Sequence, residues 1–236
     1  MTHSDIRALL FDLDGTLIDS MPHHQEAWVR WHARRGLAID ADDFFTATAG
    51  RSNEEIFADM LPGTPAAEIA RLVDEKESLY REIAAPRLAL IDGAQAFVQQ
   101  AREAGLRLAL CTASTLPNMA LAFQRFAIDT WVETVVSPAD TSSEPGAGGR
   151  LRGKPHPDIF LEAARRLGIA PEHCVVYEDA PLGVEGARRA GMRAVALTTT
   201  LPAEAFANFD HLLAVAADFT ALPVPRRTEP PPRPTP

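Results

Sequence analysis

Two aspartates separated by one residue, Asp12 and Asp14, follow a short apolar run and precede a glycine. The run, residues 8–11, is typical of a strand buried on both faces, and open α/β sheets bind ligands at the carboxyl ends of such strands. One carboxylate can act as a nucleophile while its neighbour transfers protons. The alternative is an acidic hairpin turn, but no partner strand lies next to this one in the sequence.

A second polar segment, Thr112-Ala113-Ser114, follows the apolar run of residues 106–111. The pattern is a strand that ends in hydroxyl groups. On its own it is as typical of a Ser/Thr cap before the helix predicted over residues 117–126 as of a binding site.

Lysine is rare in this chain, which draws attention to Lys154. Lys76 and Lys154 are the only lysines among 23 basic residues. A lone lysine is ordinarily a solvated surface residue. In a chain that otherwise uses arginine, however, a lysine indicates a position that requires a compact point charge.

A third apolar run, residues 175–177, ends in the acids Glu178 and Asp179. Magnesium prefers oxygen ligands in octahedral geometry and usually keeps several waters. Two carboxylates at a strand end can supply such ligands, although acids there can equally cap the start of the next helix.

In content and order, these segments resemble the four motifs of the haloacid dehalogenase superfamily of phosphotransferases. The sequence Asp-Leu-Asp-Gly-Thr from Asp12 is similar to the first motif, Thr112 to the second, Lys154 to the third and Glu178-Asp179 to the fourth. The resemblance covers residues 6–222. It implies a hydrolase that acts on phosphoric monoesters with Mg²⁺ as its cofactor.

The resemblance also implies a role for each residue. Asp12 would attack phosphorus and form an aspartyl phosphate, while Asp14 would protonate the leaving oxygen and later deprotonate water. Neighbouring carboxylates are expected to raise the pKa of Asp14, as an acid requires. The phosphoryl group would be bound by Thr112, Ala113, Ser114 and Lys154.

The metal site implied by the resemblance consists of the acids Asp12, Asp14, Glu178 and Asp179. In this assignment Asp14 contributes its backbone carbonyl. Glu178 is either a direct ligand or a group that orients a metal-bound water.

From Gly93 onward, predicted strands alternate with predicted helices. The strands are predicted over residues 106–111, 132–136, 175–177 and 194–197, in addition to residues 8–11. This alternation favours an α/β fold with a Rossmann-like parallel sheet and helices on both faces.

Between Asp19 and Ala85 only helical spacing of apolar residues occurs. We therefore predict an inserted all-helical cap domain over residues 19–87, with the α/β core formed by residues 1–18 and 88–222. The Pro-rich tail, residues 223–236, is expected to be disordered.

The position of the insert resembles the cap of the branch that contains β-phosphoglucomutase and the sugar-phosphate phosphatases. His24 and Trp28 match cap positions that face the substrate in that branch, although Trp28 is better explained as a core residue of the cap. The segment from Gly50 to Asn53 resembles the specificity loop of the cap. Asn53 stands where the mutase has arginine, and Arg51 is a candidate replacement.

A mutase must hold a bisphosphate by both ends. Counting back from Gly93 places Tyr80 at the position of a cap lysine in the mutase, and Asn53 lies at the arginine position. Both charged anchors would then be missing, which favours net hydrolysis over phosphoryl transfer.

Composition limits the remaining function classes. The net charge of −9 argues against nucleic-acid binding, and no apolar run approaches the ~20 residues that span a membrane. The two cysteines are best explained as buried thiols of a cytoplasmic protein. We predict a monomer or small homo-oligomer that hydrolyses a small phosphorylated metabolite, such as a sugar or polyol phosphate. The alternatives are a phosphomutase and an inactive binding protein of the same fold.

Overall fold

The computed structural model describes residues 5–48, 51–142 and 149–225. Six strands occur in this part of the chain: β1 (Ala8–Phe11), β2 (Arg107–Cys111), β3 (Thr134–Val136), β4 (Cys174–Glu178), β5 (Arg193–Leu197) and β6 (Leu212–Ala216). It also contains eight α-helices: α1 (Met21–Ala33), α2 (Ala41–Thr48), α3 (Asn53–Met60), α4 (Ala66–Ala84), α5 (Ala94–Glu103), α6 (Leu116–Phe126), α7 (Asp158–Leu167) and α8 (Pro181–Arg189).

The strands form one parallel sheet in the order β3-β2-β1-β4-β5-β6. Strand β1 is central, and its last residue, Phe11, pairs with Leu110 of β2 and Tyr177 of β4. The carboxyl ends of these three strands therefore meet at one edge, where the polar segments begin. The predicted Rossmann-like α/β fold is confirmed.

The residues of β1 explain why the sheet is covered on both faces. All four are fully buried. Leu9 and Phe11 pack into one apolar cluster with Phe97 of α5, whereas Leu10 packs into a second cluster with Phe160 of α7. Successive strand residues point to opposite faces, so this short run anchors both layers of helices.

The segment between β1 and α5 is helical, and its described residues contribute no strand to the sheet. Trp28, Trp31 and Phe57 pack together at its centre, with ring centroids 4.9–6.2 Å apart. Its two connections to the core are hydrogen-bonded to each other: the Asp19 N–H donates to Ala89 and the Ile91 N–H donates to Leu17. The inserted helical cap is thus present, while the proposed domain boundaries, 19–87 and its flanks, remain a prediction.

Two elements were not predicted. Strand β6 is a partly exposed edge strand whose burial does not alternate, and helix α2 is short. The predicted strand over residues 132–136 begins only at Thr134. The sequence also predicts a flexible loop over residues 141–152. Gly50, residues 143–148 of this loop and residues 226–236 of the predicted tail lie outside the described part of the chain.

None of the helices in the described ranges combines the length and apolar character needed to cross a bilayer. Cys111 and Cys174 are free thiols, and both are buried.

Candidate active site

Lys154 joins two of the strand ends. It lies between β3 and α7, and its ammonium forms ion pairs with Asp12 after β1 and with Glu178 at the end of β4. The side chains of all three are at most 8% exposed. The structure therefore brings together the residues of the first, third and fourth predicted motifs at the carboxyl edge of the sheet.

Hydroxyl groups from two loops hold Asp179. The Thr16 hydroxyl donates to Oδ1 of Asp179 at 3.1 Å, and the Thr200 hydroxyl donates to Oδ2. Asp179 is buried, so these bonds fix the direction of its carboxylate. Neither threonine was predicted as a site residue.

Two glycines leave the space that the acids occupy. Gly15 has a φ of +78°, and a Cβ built on it would overlap the carboxylate of Asp179. A Cβ on Gly183, in the first turn of α8, would overlap the carboxylate of Glu178. The acidic pair therefore depends on two positions without side chains.

The carboxylates of Asp12, Glu178 and Asp179 form a cluster suited to a metal ion. One oxygen from each lies within 4.8 Å of the others, and all three residues are buried. Lys154 supplies one positive charge against these three groups, so a divalent cation would balance the remaining charge. An all-oxygen donor set fits Mg²⁺. The side chain of Asp14 is not part of the cluster, which leaves only its backbone carbonyl as the predicted contribution.

Burial and mutual repulsion set the protonation behaviour of the cluster. Burial raises the pKa of Asp12 well above its ordinary value, and Glu178 and Asp179 add to the rise. Burial likewise raises the pKa of Asp179, with Glu178 as the next cause. Burial alone would lower the pKa of Lys154, but Asp12 and Glu178 outweigh it and raise the pKa. The lysine therefore stays charged in this site.

The prediction that the pKa of Asp14 is raised is wrong for this structure. Burial alone would raise it, but His24 and the nearby hydroxyls of Ser20 and Ser114 outweigh burial and lower the pKa. His24 Nε2 lies 3.7 Å from Asp14 Oδ1. The neighbours that determine the outcome are thus an imidazole and hydroxyls, whereas the carboxylates surround Asp12.

The segment after β2 contributes Thr112, Ala113 and Ser114 to the lining of a cavity at this edge of the sheet. The backbone N–H of Ser114 donates to Thr112 Oγ1 at 2.9 Å, so these two groups are hydrogen-bonded to each other. Thr112 is buried and Ala113 is exposed. Phosphoryl binding by this segment remains a prediction.

A cavity of about 210 Å³ extends from the strand ends to the helical cap. The predicted cap residues His24, Arg51 and Asn53 line it, together with Trp28. Trp28 is nonetheless 4% exposed and belongs to the aromatic centre of the cap. The His24 ring stacks on Tyr80 at 3.7 Å between centroids.

Among the lining residues that the sequence analysis did not assign to the site are Lys76, Glu77 and Asn118. Lys76 Nζ lies 2.9 Å from Glu77 Oε1 and 2.8 Å from His24 Nδ1. The amide nitrogens of Asn53 and Asn118 donate to the two carboxylate oxygens of Glu77.

The assignment of the cap lysine position to Tyr80 is therefore misleading, because the cap does present an ammonium to the cavity. Lys76 lies one helical turn before Tyr80, on the same face of α4. A signal for it exists in the sequence: Lys76 and Glu77 fall at apolar positions of a helix face that includes Leu72, Val73 and Tyr80. Charged residues in an apolar stripe indicate a buried polar function.

Comparison with known proteins was consistent with this geometry. A family model described as haloacid dehalogenase-like hydrolase matches residues 6–191. The chain is 31% identical over 207 residues to validoxylamine A 7'-phosphate phosphatase of Streptomyces hygroscopicus subsp. limoneus, covering 88% of this chain and 92% of the relative. It is 32% identical over 191 residues to hexitol phosphatase A of Escherichia coli (strain K12), covering 81% and 82%.

Among solved structures, the fold is similar to that of CbbY from Rhodobacter sphaeroides in complex with xylulose-(1,5)bisphosphate. The TM-score is 0.70 at 27% sequence identity, and the match covers 88% of this chain and 93% of that chain.

Proposed function

Since this chain belongs to the family of haloacid dehalogenase-like hydrolases and is a phosphoric monoester hydrolase, we propose that it is a Mg²⁺-dependent phosphatase of a small sugar or polyol phosphate. The observation that carries the proposal is the convergence of Asp12, Asp14, Lys154 and the Glu178–Asp179 pair on one cavity. An inactive binding protein would not require this set of charges in contact.

In the proposed mechanism, a carboxylate oxygen of Asp12 attacks phosphorus and forms an aspartyl phosphate as the bond to the leaving oxygen breaks. Lys154 contacts the Asp12 carboxylate and supplies positive charge beside the transferring group. A bound Mg²⁺, held by Asp12, Glu178, Asp179 and the backbone carbonyl of Asp14, would neutralise charge on the phosphoryl oxygens.

Asp14 moves the protons. In its protonated form it gives a proton to the leaving oxygen, and as a carboxylate it then takes one from the water that hydrolyses the aspartyl phosphate. His24, beside Asp14 Oδ1, and the hydroxyls of Ser20 and Ser114 favour the ionised form. In the free site, Asp14 is therefore in the carboxylate form that the hydrolysis step requires. It must gain a proton before it can protonate the leaving oxygen in the first step.

A phosphomutase is the second candidate, and one observation favours it. Lys76 places an ammonium at the cap end of the cavity, where a second phosphate of a bisphosphate would lie.

The location of the protein in the cytoplasm and its oligomeric state also remain predictions.

The deciding experiment is a screen of inorganic phosphate release from a panel of sugar and polyol monophosphates, with Mg²⁺ and without it. The proposal expects Mg²⁺-dependent release from at least one member. A separate incubation with β-glucose 1-phosphate, with and without its bisphosphate, is followed by phosphorus NMR. Glucose 6-phosphate that forms faster than inorganic phosphate would establish the mutase instead.

A further inference from the structure

The cap end of the cavity carries its own buried ion pair, and this pair has consequences for the substrate. We propose that Glu77, paired with Lys76, makes the cap end a site for an uncharged, hydroxyl-bearing end of the substrate and excludes a second phosphate. The inference rests on the proposed phosphatase function and narrows its substrate class to monophosphates.

Glu77 is a fixed negative charge in the wall of the cavity. Its side chain is 3% exposed, and Lys76 Nζ lies 2.9 Å from its Oε1. Burial alone would raise the pKa of Glu77, but Lys76, His24 and the hydrogen bond from Asn118 outweigh it and lower the pKa to about 2. The carboxylate is therefore ionised wherever the enzyme works near neutral pH.

Both oxygens of that carboxylate are held from two sides. Asn53, the first residue of α3, and Asn118, in the first turn of α6, donate their amide nitrogens to it. Arg81 donates to the side-chain oxygen Oδ1 of Asn118 at 3.0 Å, which orients that side-chain amide. Glu77 is thus anchored to the cap and to the core, and it cannot turn away from an incoming anion without losing these bonds.

The cations at this end are already paired within the cap. Lys76 pairs with Glu77, and Arg51 pairs with Asp59 at 2.5 Å. Within the described residues, these are the two cap cations of the cavity lining. A second phosphate would meet a buried carboxylate beside an ammonium that is already paired, and it would have to compete with Asp59 for Arg51. Juxtaposed like charges are strongly unfavourable.

Uncharged hydroxyl groups fit the same surface. The bond from Asn53 to Glu77 uses the amide nitrogen, which leaves the amide oxygen of Asn53 to accept from a substrate hydroxyl. Lys76 has three donors, two of which face Glu77 and His24. The cavity of about 210 Å³ is below the roughly 300–1,000 Å³ of pockets for drug-sized ligands, so it suits a small monophosphate.

The test compares three pairs of substrates: fructose 1-phosphate with its 1,6-bisphosphate, glucose 1-phosphate with its 1,6-bisphosphate, and ribulose 5-phosphate with its 1,5-bisphosphate. Initial rates of phosphate release give kcat/KM for each. For the wild-type enzyme we expect the monophosphate of a hydrolysed pair to be favoured on the order of tenfold or more.

Three variants locate the effect. Glu77→Gln should bring the ratio of monophosphate to bisphosphate kcat/KM toward one, and Lys76→Met should raise it, because it leaves the carboxylate unpaired. Glu75→Gln removes the same charge from the same helix, at a residue that pairs with Arg35 outside the cavity, and should keep the wild-type ratio. If Glu77→Gln fails to fold, the wild-type and Lys76→Met ratios decide.

A wild-type enzyme that hydrolyses a bisphosphate as efficiently as its monophosphate would overturn this inference and leave the phosphatase proposal intact. So would a folded Glu77→Gln variant that retains the wild-type ratio. Hydrolysis of none of the six compounds, nor of any monophosphate in the wider panel, would instead overturn the phosphatase proposal and this inference with it.

Discussion

The two ends of the cavity are built from different elements and carry different charges. The strand-end side has three buried carboxylates around Lys154, an excess of negative charge that fits a divalent cation. The cap side has Lys76 and Glu77 paired one to one, with two asparagines on the carboxylate. The first arrangement is suited to a metal-bound phosphoryl group, and the second to neutral hydroxyls.

The two ends divide chemistry and recognition between them. Residues at strand ends are positioned by the sheet ladder, which leaves little freedom in Asp12 or Glu178. Residues of the cap are positioned by helix faces and by contacts to the core, such as those of Glu77 and Arg81 with Asn118. Substitutions at strand ends should therefore alter kcat, whereas substitutions in the cap should alter selectivity and stability.

The largest loss is expected for Asp12→Asn, since this change removes the proposed nucleophile. Activity should fall on the order of 10⁴-fold or more, as for other covalent nucleophiles. Phosphate release and trapping by beryllium fluoride measure the loss, and circular dichroism verifies the fold. Asp129→Asn, at an exposed residue of the core, serves as the matched control. Retention of more than a few per cent of activity would contradict the covalent mechanism.

Removal of the proposed metal should abolish the activity that depends on the strand-end side. Chelation with EDTA should abolish phosphate release, and Mg²⁺ should restore it and raise the melting temperature through binding to the native state. Asp179→Asn should lose the Mg²⁺-induced rise in melting temperature, because Asp179 belongs to the acidic cluster. An equal rise in the variant would place the metal elsewhere.

Asp14→Asn should lower kcat by ~10²–10⁴, the contribution of a general acid and base. KM should change little, since the role proposed for Asp14 is proton transfer and not phosphate binding. Steady-state kinetics with the best monophosphate measures both parameters. A loss below tenfold would assign the proton transfer to another group.

The smallest effect concerns pH and the cap side. The pKa of Glu77 is lowered from 4.5 to about 2, so its ionised form stabilises the fold above pH ~4.5, and this stabilisation is lost as the pH falls toward 2. The melting temperature of wild type should exceed that of Glu77→Gln at pH 7, and the gap should narrow by pH 3.5. Glu103→Gln, on the exposed surface of α5, is the control. A gap independent of pH would show that the effect is not electrostatic.

The strand-end side could be predicted because its signals are local. Asp12, Thr112 and Glu178 each follow or end an apolar run, and parallel strands bring such ends together. The pKa of Asp14 could not be predicted from the same pattern. Its direction depends on His24, on the first helix of the cap, and on Ser114, after β2, and both become neighbours of Asp14 only through folding.

The cap side was harder to predict because the position of a residue along a helix must be assigned to within one turn. A count from Gly93 led to Tyr80, whereas the ammonium in the cavity belongs to Lys76. Glu77 and Asn118 are 41 positions apart in the sequence, and no local pattern predicts the contact between them. Strand β6 was not predicted because an edge strand without alternating burial has only a weak period-two pattern of apolar residues.

Gly183 has a consequence for how sequences of this fold diverge. It contributes no reactive atom, yet any side chain at that position would occupy the space of the Glu178 carboxylate. Even an alanine at this position would force the Glu178 carboxylate to move. Substitutions of Gly183 should therefore be selected against for as long as Glu178 is required. In a saturation mutagenesis scan, position 183 should then tolerate fewer substitutions than the exposed positions of α8. A diverged relative that has another residue at this position is therefore expected to have reduced activity, even if all of its charged site residues are retained.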